Sequence, residues 1–252
     1  MVLLHAIVCL HEHPLLIIKY FVMRRTGLII LIFTLTLPAF SQIDEDRTGA
    51  WYMYFFNAKF NESNFGFQGD IQYRNWNLGG DLEQLLLRGG LNFQPAGSNA
   101  RFTMGYGNIT TGVMGEETTT SMEHRIYQEA LLPHRPFERV FLTHRFRYEQ
   151  RFLTDQDLRT RYRYTLFMNI PFNKDKVGKE AIYLALYNEL FINGQRDIGN
   201  GNEVELFDRN RTYLGLGYGL TENLRIQAGW MNQVTDNWTK GQLQLSLHHK
   251  IF

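Results

Sequence analysis

Cysteine, net charge and long apolar runs are all scarce in this sequence. The one cysteine among 252 residues is Cys9, so disulfides and cysteine-based metal sites or nucleophiles are excluded for the rest of the chain. After Gln42 no apolar stretch reaches about 18 residues, which excludes a helical membrane protein. The formal net charge is only +1, which provides no field for gathering nucleic acid or acidic substrates.

Catalytic signatures are missing as well. Neither G-x-S-x-G nor H-E-x-x-H occurs, although these would mark a serine hydrolase or a zinc site. The candidate residues in or directly beside predicted strands are His124, His144, His248, His249, Ser121 and Ser246. A Ser–His pair is defined by geometry. A membrane-embedded lipid-modifying enzyme therefore stays open as an alternative, with no catalytic residue, metal ligand or cofactor assigned.

The N-terminal region is typical of a secretory leader. Residues 23–41 contain two arginines, the apolar core Leu28–Leu37 and small residues before a cut, which is the pattern of a signal peptide. The core is shorter than the roughly 20 residues of a spanning helix, so cleavage near Ser41 is favoured over an uncleaved anchor. Residues 1–22 are interpreted as a mis-assigned upstream start, and residues 42–252 as the mature protein.

The rest of the sequence divides into segments of alternating hydrophobicity. In Val140–Phe152 and Leu158–Ile170, apolar and aromatic residues alternate with polar, mostly basic ones. A period of two is typical of β-strands with one polar and one apolar face. Nine further segments show strand patterns: Thr48–Phe60, Phe65–Asn75, Leu82–Gln94, Ala100–Ile109, Met122–Leu132, Ala181–Phe191, Arg211–Leu220, Leu224–Gln233 and Gln242–Ile251.

These segments predict an all-β fold, an antiparallel transmembrane β-barrel in the outer membrane of a Gram-negative bacterium. Eleven segments are counted, but bacterial barrels normally have an even number of strands, so ten or twelve are expected. The connection 220–224 is short and the connection 193–210 is long and acidic, as periplasmic turns and extracellular loops are. The aromatic residues Trp51, Trp76, Trp230 and Trp238 are expected in girdles at the membrane interfaces.

A secreted antiparallel sandwich is the alternative fold, because its strands also alternate but bury their apolar face. The barrel is favoured because the segments are as long as the roughly 9–11 residues of a tilted spanning strand. Its expected partners are outer-membrane lipid and, during biogenesis, the barrel assembly machinery. Nucleic acid is not an expected partner, because the protein is predicted to be secreted.

An outward apolar face implies a charged lumen. The lumen-facing network is predicted to contain Arg145, Arg147, Glu149, Arg151, Arg159, Arg161, Arg163, Glu123, Arg125 and Glu129. The arginines would repel one another unless carboxylates, water or a small anionic solute neutralised them. A plug of side chains that fills a small barrel is favoured, and a narrow anion-selective channel is the alternative. Structural, binding or weak transport roles are compatible with this interior.

Several motifs together resemble a known family. They are WYMYFF, FQGDIQYRNW, LEQLLLRGGLNF, RFTMGYGNIT, RYEQRF, RTRYRYTL and YLGLGYGLTENLRIQAGWMNQ. This layout is similar to the predicted outer-membrane family known as domain of unknown function 2490, and the resemblance spans nearly all of Thr48–Phe252. It implies a barrel fold and an outer-membrane location. The family has no assigned activity, so the resemblance implies no catalytic residues.

Overall fold

The computed structural model describes residues 48–251, without the side chains of residues 116–118. The predicted upstream start, residues 1–22, and the signal peptide, residues 23–41, lie outside the described residues. No helix in the described range is long and apolar enough to cross a membrane. Instead, this part of the chain folds into β-strands.

Eleven strands form in the order in which the sequence predicts them. Their bounds are β1 Gly49–Lys59, β2 Phe65–Asn75, β3 Leu82–Phe93, β4 Arg101–Val113, β5 Glu116–Phe137, β6 Val140–Leu153, β7 Arg159–Pro171, β8 Ile182–Asn193, β9 Phe207–Gly219, β10 Leu224–Val234 and β11 Thr239–Ile251. Each strand pairs with its neighbours in the sequence, and the sheet closes into a barrel. The prediction of an all-β barrel is confirmed.

The closing pair of strands is unusual. β1 and β11 run parallel, with ten residue pairs from Gly49–Gln242 to Ala58–Ile251, whereas the neighbours along the chain pair antiparallel. A closed ring of purely antiparallel pairs needs an even number of strands, because direction must alternate around the ring. The expectation of ten or twelve antiparallel strands was therefore wrong. All eleven predicted strands belong to the barrel, and one parallel seam accommodates the odd number.

The connections alternate between two ends of the barrel. The first end contains the start of β1 and the connections 76–81, 114–115, 154–158, 194–206 and 235–238. The second end contains the connections 60–64, 94–100, 138–139, 172–181 and 220–223, and the end of β11. The long acidic connection 194–206 and the short connection 220–223 thus lie at opposite ends.

The pleat of the strands separates polar from apolar side chains. On β9, Arg211 and Tyr213 are buried inside, whereas Leu214 and Leu216 are 58% and 57% exposed on the outside. The same division follows from side-chain alternation on the other strands. Buried polar and charged side chains fill the interior, and large apolar side chains cover much of the outer surface.

Aromatic side chains fix the register of neighbouring strands. On the outer face, Phe146 and Tyr148 of β6 face Tyr164 and Tyr162 of β7, with both pairs of ring centroids 5.1 Å apart. Such cross-strand pairs stabilise a sheet. Inside, the ring of Tyr183 covers Gly217 so closely that any side chain there would collide with it. Gly215 and Gly217 of β9 therefore make room for the tyrosines Tyr213 and Tyr183 of the lumen.

Candidate functional site

The charged lumen is built by alternate residues of β5, β6 and β7. Of the ten residues predicted for this network, eight are buried: Glu123, Arg125, Glu129, Arg147, Glu149, Arg151, Arg161 and Arg163. Arg145 and Arg159 are partly exposed. The strands bring these side chains together because residues of one parity point inward from neighbouring, hydrogen-bonded strands.

Glu149 is at the centre of the network. Its Oε2 atom accepts from Arg161 Nη2 at 2.6 Å, and its Oε1 atom accepts from Arg163 Nη1 at 2.5 Å. Arg147 and Arg125 lie further away, with nitrogen–oxygen distances of 3.8 and 4.0 Å. One buried carboxylate thus partly neutralises four guanidinium groups, and such charge-assisted hydrogen bonds are the strong ones in proteins.

Two carboxylates of the neighbouring strand β5 bind the adjacent arginines. Glu123 Oε1 accepts from Arg125 Nε at 2.6 Å and from Arg151 Nε at 2.5 Å. Glu129 Oε2 accepts from Arg147 Nε at 2.7 Å. These contacts join the strands β5 and β6 inside the barrel, where the low dielectric strengthens each ion pair and also penalises any unpaired charge.

The sequence interpretation missed two carboxylates of this network. Glu189 on β8 binds Arg163 at 2.5 Å and Arg145 at 2.6 Å, and Asp208 on β9 binds Arg161 at 2.8 Å. The inward parity of Glu189 could have been read from the alternation in β8. Asp208 could not, because the register between β8 and β9 shifts beside it.

Trp51 also departs from expectation. It was predicted for an interfacial girdle, but its ring is only 2% exposed and lies inside the barrel. Its Nε1 atom donates to Glu83 Oε2 at 2.8 Å. In the WYMYFF segment every residue is apolar or aromatic, so the alternation that reveals inward positions elsewhere is absent here.

The histidines do not assemble a hydrolytic triad among the described residues. Ser246 Oγ and His248 Nε2 are 3.0 Å apart, but the His248 ring stacks on Phe55 at 4.9 Å and has no carboxylate partner in residues 48–251. On the outer face, His144 Nδ1 contacts Tyr164 Oη at 2.9 Å. No group of acidic, histidine or cysteine side chains in the described part of the chain could hold a metal ion.

Fold and interior together define a class: a closed β-barrel with a charge-paired, buried lumen and an apolar outer surface. The chain belongs to a family described as "Protein of unknown function (DUF2490)", whose profile matches residues 48–244. The resemblance seen in the sequence is thereby confirmed. No curated protein and no solved structure matched this chain.

Proposed function

We propose that this protein is an outer-membrane β-barrel of a Gram-negative bacterium, closed by its own side chains, with a structural or binding role rather than that of an open pore. The observation that carries this proposal is the inverted distribution of polarity. Met104 and Leu91 are 65% and 60% exposed on the outside, whereas Glu149 is 1% exposed inside. Water disfavours such a surface and lipid favours it.

The strand lengths agree with a bilayer. The described strands have 11 residues or more, and a tilted strand needs roughly 9–11 residues to span the hydrocarbon core. A closed barrel also satisfies every backbone ladder without a free edge, as the bilayer interior requires. A soluble sandwich would instead bury the apolar face and expose the arginines.

The low exposure of the lumen supports a plug. The side chains of Arg161, Arg163 and Arg147 are only 4–5% exposed, although an open aqueous channel would expose the residues that line it. The buried arginines of β6 and β7 are also bound to carboxylates. They therefore do not form the unneutralised ring that attracts anions in selective channels. The network is better suited to blocking the lumen with side chains.

The loops support one orientation. The connections at the first end contain Asp81, Asp155, Asp157, Asp197, Glu203, Glu205 and Asp236 against the single base Arg196. This end also has the longest connection, residues 194–206, and long loops are typical of the extracellular side. We therefore assign the first end to the cell exterior and the second end to the periplasm.

Membrane fractionation combined with SDS-PAGE of boiled and unboiled samples tests the location. We expect the protein in the outer-membrane fraction, with a shift in migration on boiling because a folded barrel resists SDS. A soluble periplasmic product would overturn the proposal.

The plug has its own test, the double substitution of Arg147→Gln and Arg161→Gln. We expect it to lower stability, because both side chains join strands inside the barrel. A change in single-channel ion selectivity without loss of stability would show instead that the lumen is an open, anion-selective channel.

A further inference from the structure

A second basic cluster lies on a different wall of the barrel, formed by β9, β10, β11, β1 and β2. We name it the Trp51 cluster and define it by Trp51, Arg74, Arg211, Tyr213, Gln233 and Gln244. All six residues are 5% exposed or less. The cluster is separate from the carboxylates Glu123, Glu129 and Glu149.

Two guanidinium groups face the same indole ring. The Cζ atoms of Arg74 and Arg211 lie 3.7 and 4.8 Å from the centroid of the Trp51 ring. Arg74 donates only to neutral groups, the Oε1 atoms of Gln72 and Gln84. Arg211 donates to Gln233, and its closest carboxylate oxygen belongs to Glu189 at 4.0 Å. The buried carboxylate Glu83 lies beside them, but its Oε2 atom accepts from Trp51 Nε1 and Gln242 Nε2. Two buried positive charges thus share one neighbouring carboxylate, and neither makes a close ion pair.

Two glutamine amides of the cluster also have hydrogen-bond donors without an acceptor. Gln233 Oε1 accepts from Arg211 Nε at 2.5 Å, and Gln244 Oε1 accepts from Tyr187 Oη at 3.0 Å. The guanidinium of Arg211 can only donate, so its contact fixes the Gln233 amide with the Nε2 group pointing elsewhere. In the described part of the chain, neither Nε2 atom has a hydrogen-bond partner, and the hydroxyl of Tyr213 has none either.

The register brings these donors close together. Trp51 is opposite both Arg74 and Gln244, and Gln233 is opposite Arg211. The Tyr213 hydroxyl lies over Gly229, which is opposite Gln244. Arg74, Gln244 and the Tyr213 hydroxyl thus lie at the level of Trp51 in the lumen. Arg211 reaches the same ring from the level of Gln233, four residues along β10 from Gly229.

We propose that the Trp51 cluster binds a small monovalent inorganic anion of about the size of chloride. Positive charge in excess of the neighbouring carboxylate and donors without acceptors are both costly when buried, and one anion relieves both. A water molecule could accept hydrogen bonds but would not neutralise the positive charge of Arg74 and Arg211. The anion must be small because residues of 0–5% exposure leave no passage for an organic ligand. This inference does not depend on insertion into a membrane.

The test compares salts during refolding, because a buried site exchanges slowly with solvent. Protein is refolded and melted in sodium chloride, bromide or gluconate at equal ionic strength, gluconate being too large to enter. We expect a higher melting temperature in both halides, saturating with halide concentration. Arg211→Gln should abolish this difference. Arg196→Gln, which removes an exposed arginine of the loop 194–206, should preserve it.

A second variant keeps the test informative if Arg211→Gln fails to fold. Tyr213→Phe removes one donor and no charge, and a hydrogen bond to a charged group corresponds to roughly a tenfold or larger change in affinity. We expect the halide concentration for half-maximal stabilisation to rise by about that factor. Equal melting temperatures of the wild type in halide and gluconate would overturn the proposal, as would an unchanged halide dependence in both variants.

Discussion

Glu149→Gln removes the central carboxylate of the interior without changing its shape. Arg161 and Arg163, bound to Glu149 at 2.6 and 2.5 Å, would each lose one of two anionic partners. The Glu149 side chain is only 1% exposed, so water cannot compensate for the lost negative charge. Breaking one partner of a buried ion pair costs about 3–5 kcal/mol, which is roughly a hundredfold to several-thousandfold change in the unfolding equilibrium.

The loss can be measured by urea unfolding of the refolded protein in lipid vesicles, followed by tryptophan fluorescence and by migration of unboiled samples. The matched control is Glu205→Gln, which breaks the ion pair with Arg196 on exposed side chains. Exposed pairs contribute only about 0–1 kcal/mol. Glu149→Gln should therefore be the far more destabilising of two chemically identical changes.

A double variant separates lost charge balance from lost packing. Glu149→Gln leaves Arg161 with one carboxylate partner fewer. Adding Arg161→Gln removes that guanidinium group. We expect the double variant to be less destabilised than the sum of the two single variants. Strict additivity, or equal effects of Glu149→Gln and Glu205→Gln, would refute the conclusion that a buried ion network holds the barrel together.

Three further changes probe the surface, the packing and the seam. Leu216→Arg places a charge on the apolar outer face and should lower the free energy of unfolding in vesicles by about 2–4 kcal/mol for a site near the bilayer midplane. At a site exposed to water the change would be only about 0.5 kcal/mol. Unfolding in vesicles distinguishes the two cases. Gly217→Ala forces a methyl group into a tyrosine ring and should cost about 1–3 kcal/mol, while Gly79→Ala, which meets only open space, should be neutral in the same assay. Cysteines at Tyr52 and Leu245, which are partners across the parallel seam, should form a disulfide in non-reducing SDS-PAGE; failure to cross-link would contradict the seam.

Most of the strands could be predicted because one face of each is polar and the other apolar. β6 and β7 alternate arginine with aromatic residues, so their inward faces are visible in the sequence itself. β1 is different, since WYMYFF offers no polar residue to mark the inner side. For that reason the inward position of Trp51, and with it the second basic cluster, was not foreseen.

The closure of the barrel could not be predicted for a different reason. Strand count follows from local patterns, but the pairing of β1 with β11 joins residues about two hundred positions apart, and no local signal specifies its direction. The general preference for even strand numbers then pointed the wrong way. Asp208 was missed because a register shift, which depends on the neighbouring strand, changes which side chains point inward.

Fluorescence quenching by brominated lipid tests the arrangement of the barrel most directly. Trp230 is 47% exposed on the outer face, and Trp51 is 2% exposed inside. Two variants, each retaining one of these tryptophans and replacing the others by phenylalanine, are refolded into vesicles with and without bromine on the acyl chains. We predict strong quenching of Trp230 and little quenching of Trp51. Quenching of Trp51, or unaffected emission from Trp230, would contradict a membrane barrel with an apolar exterior and a closed, charged interior.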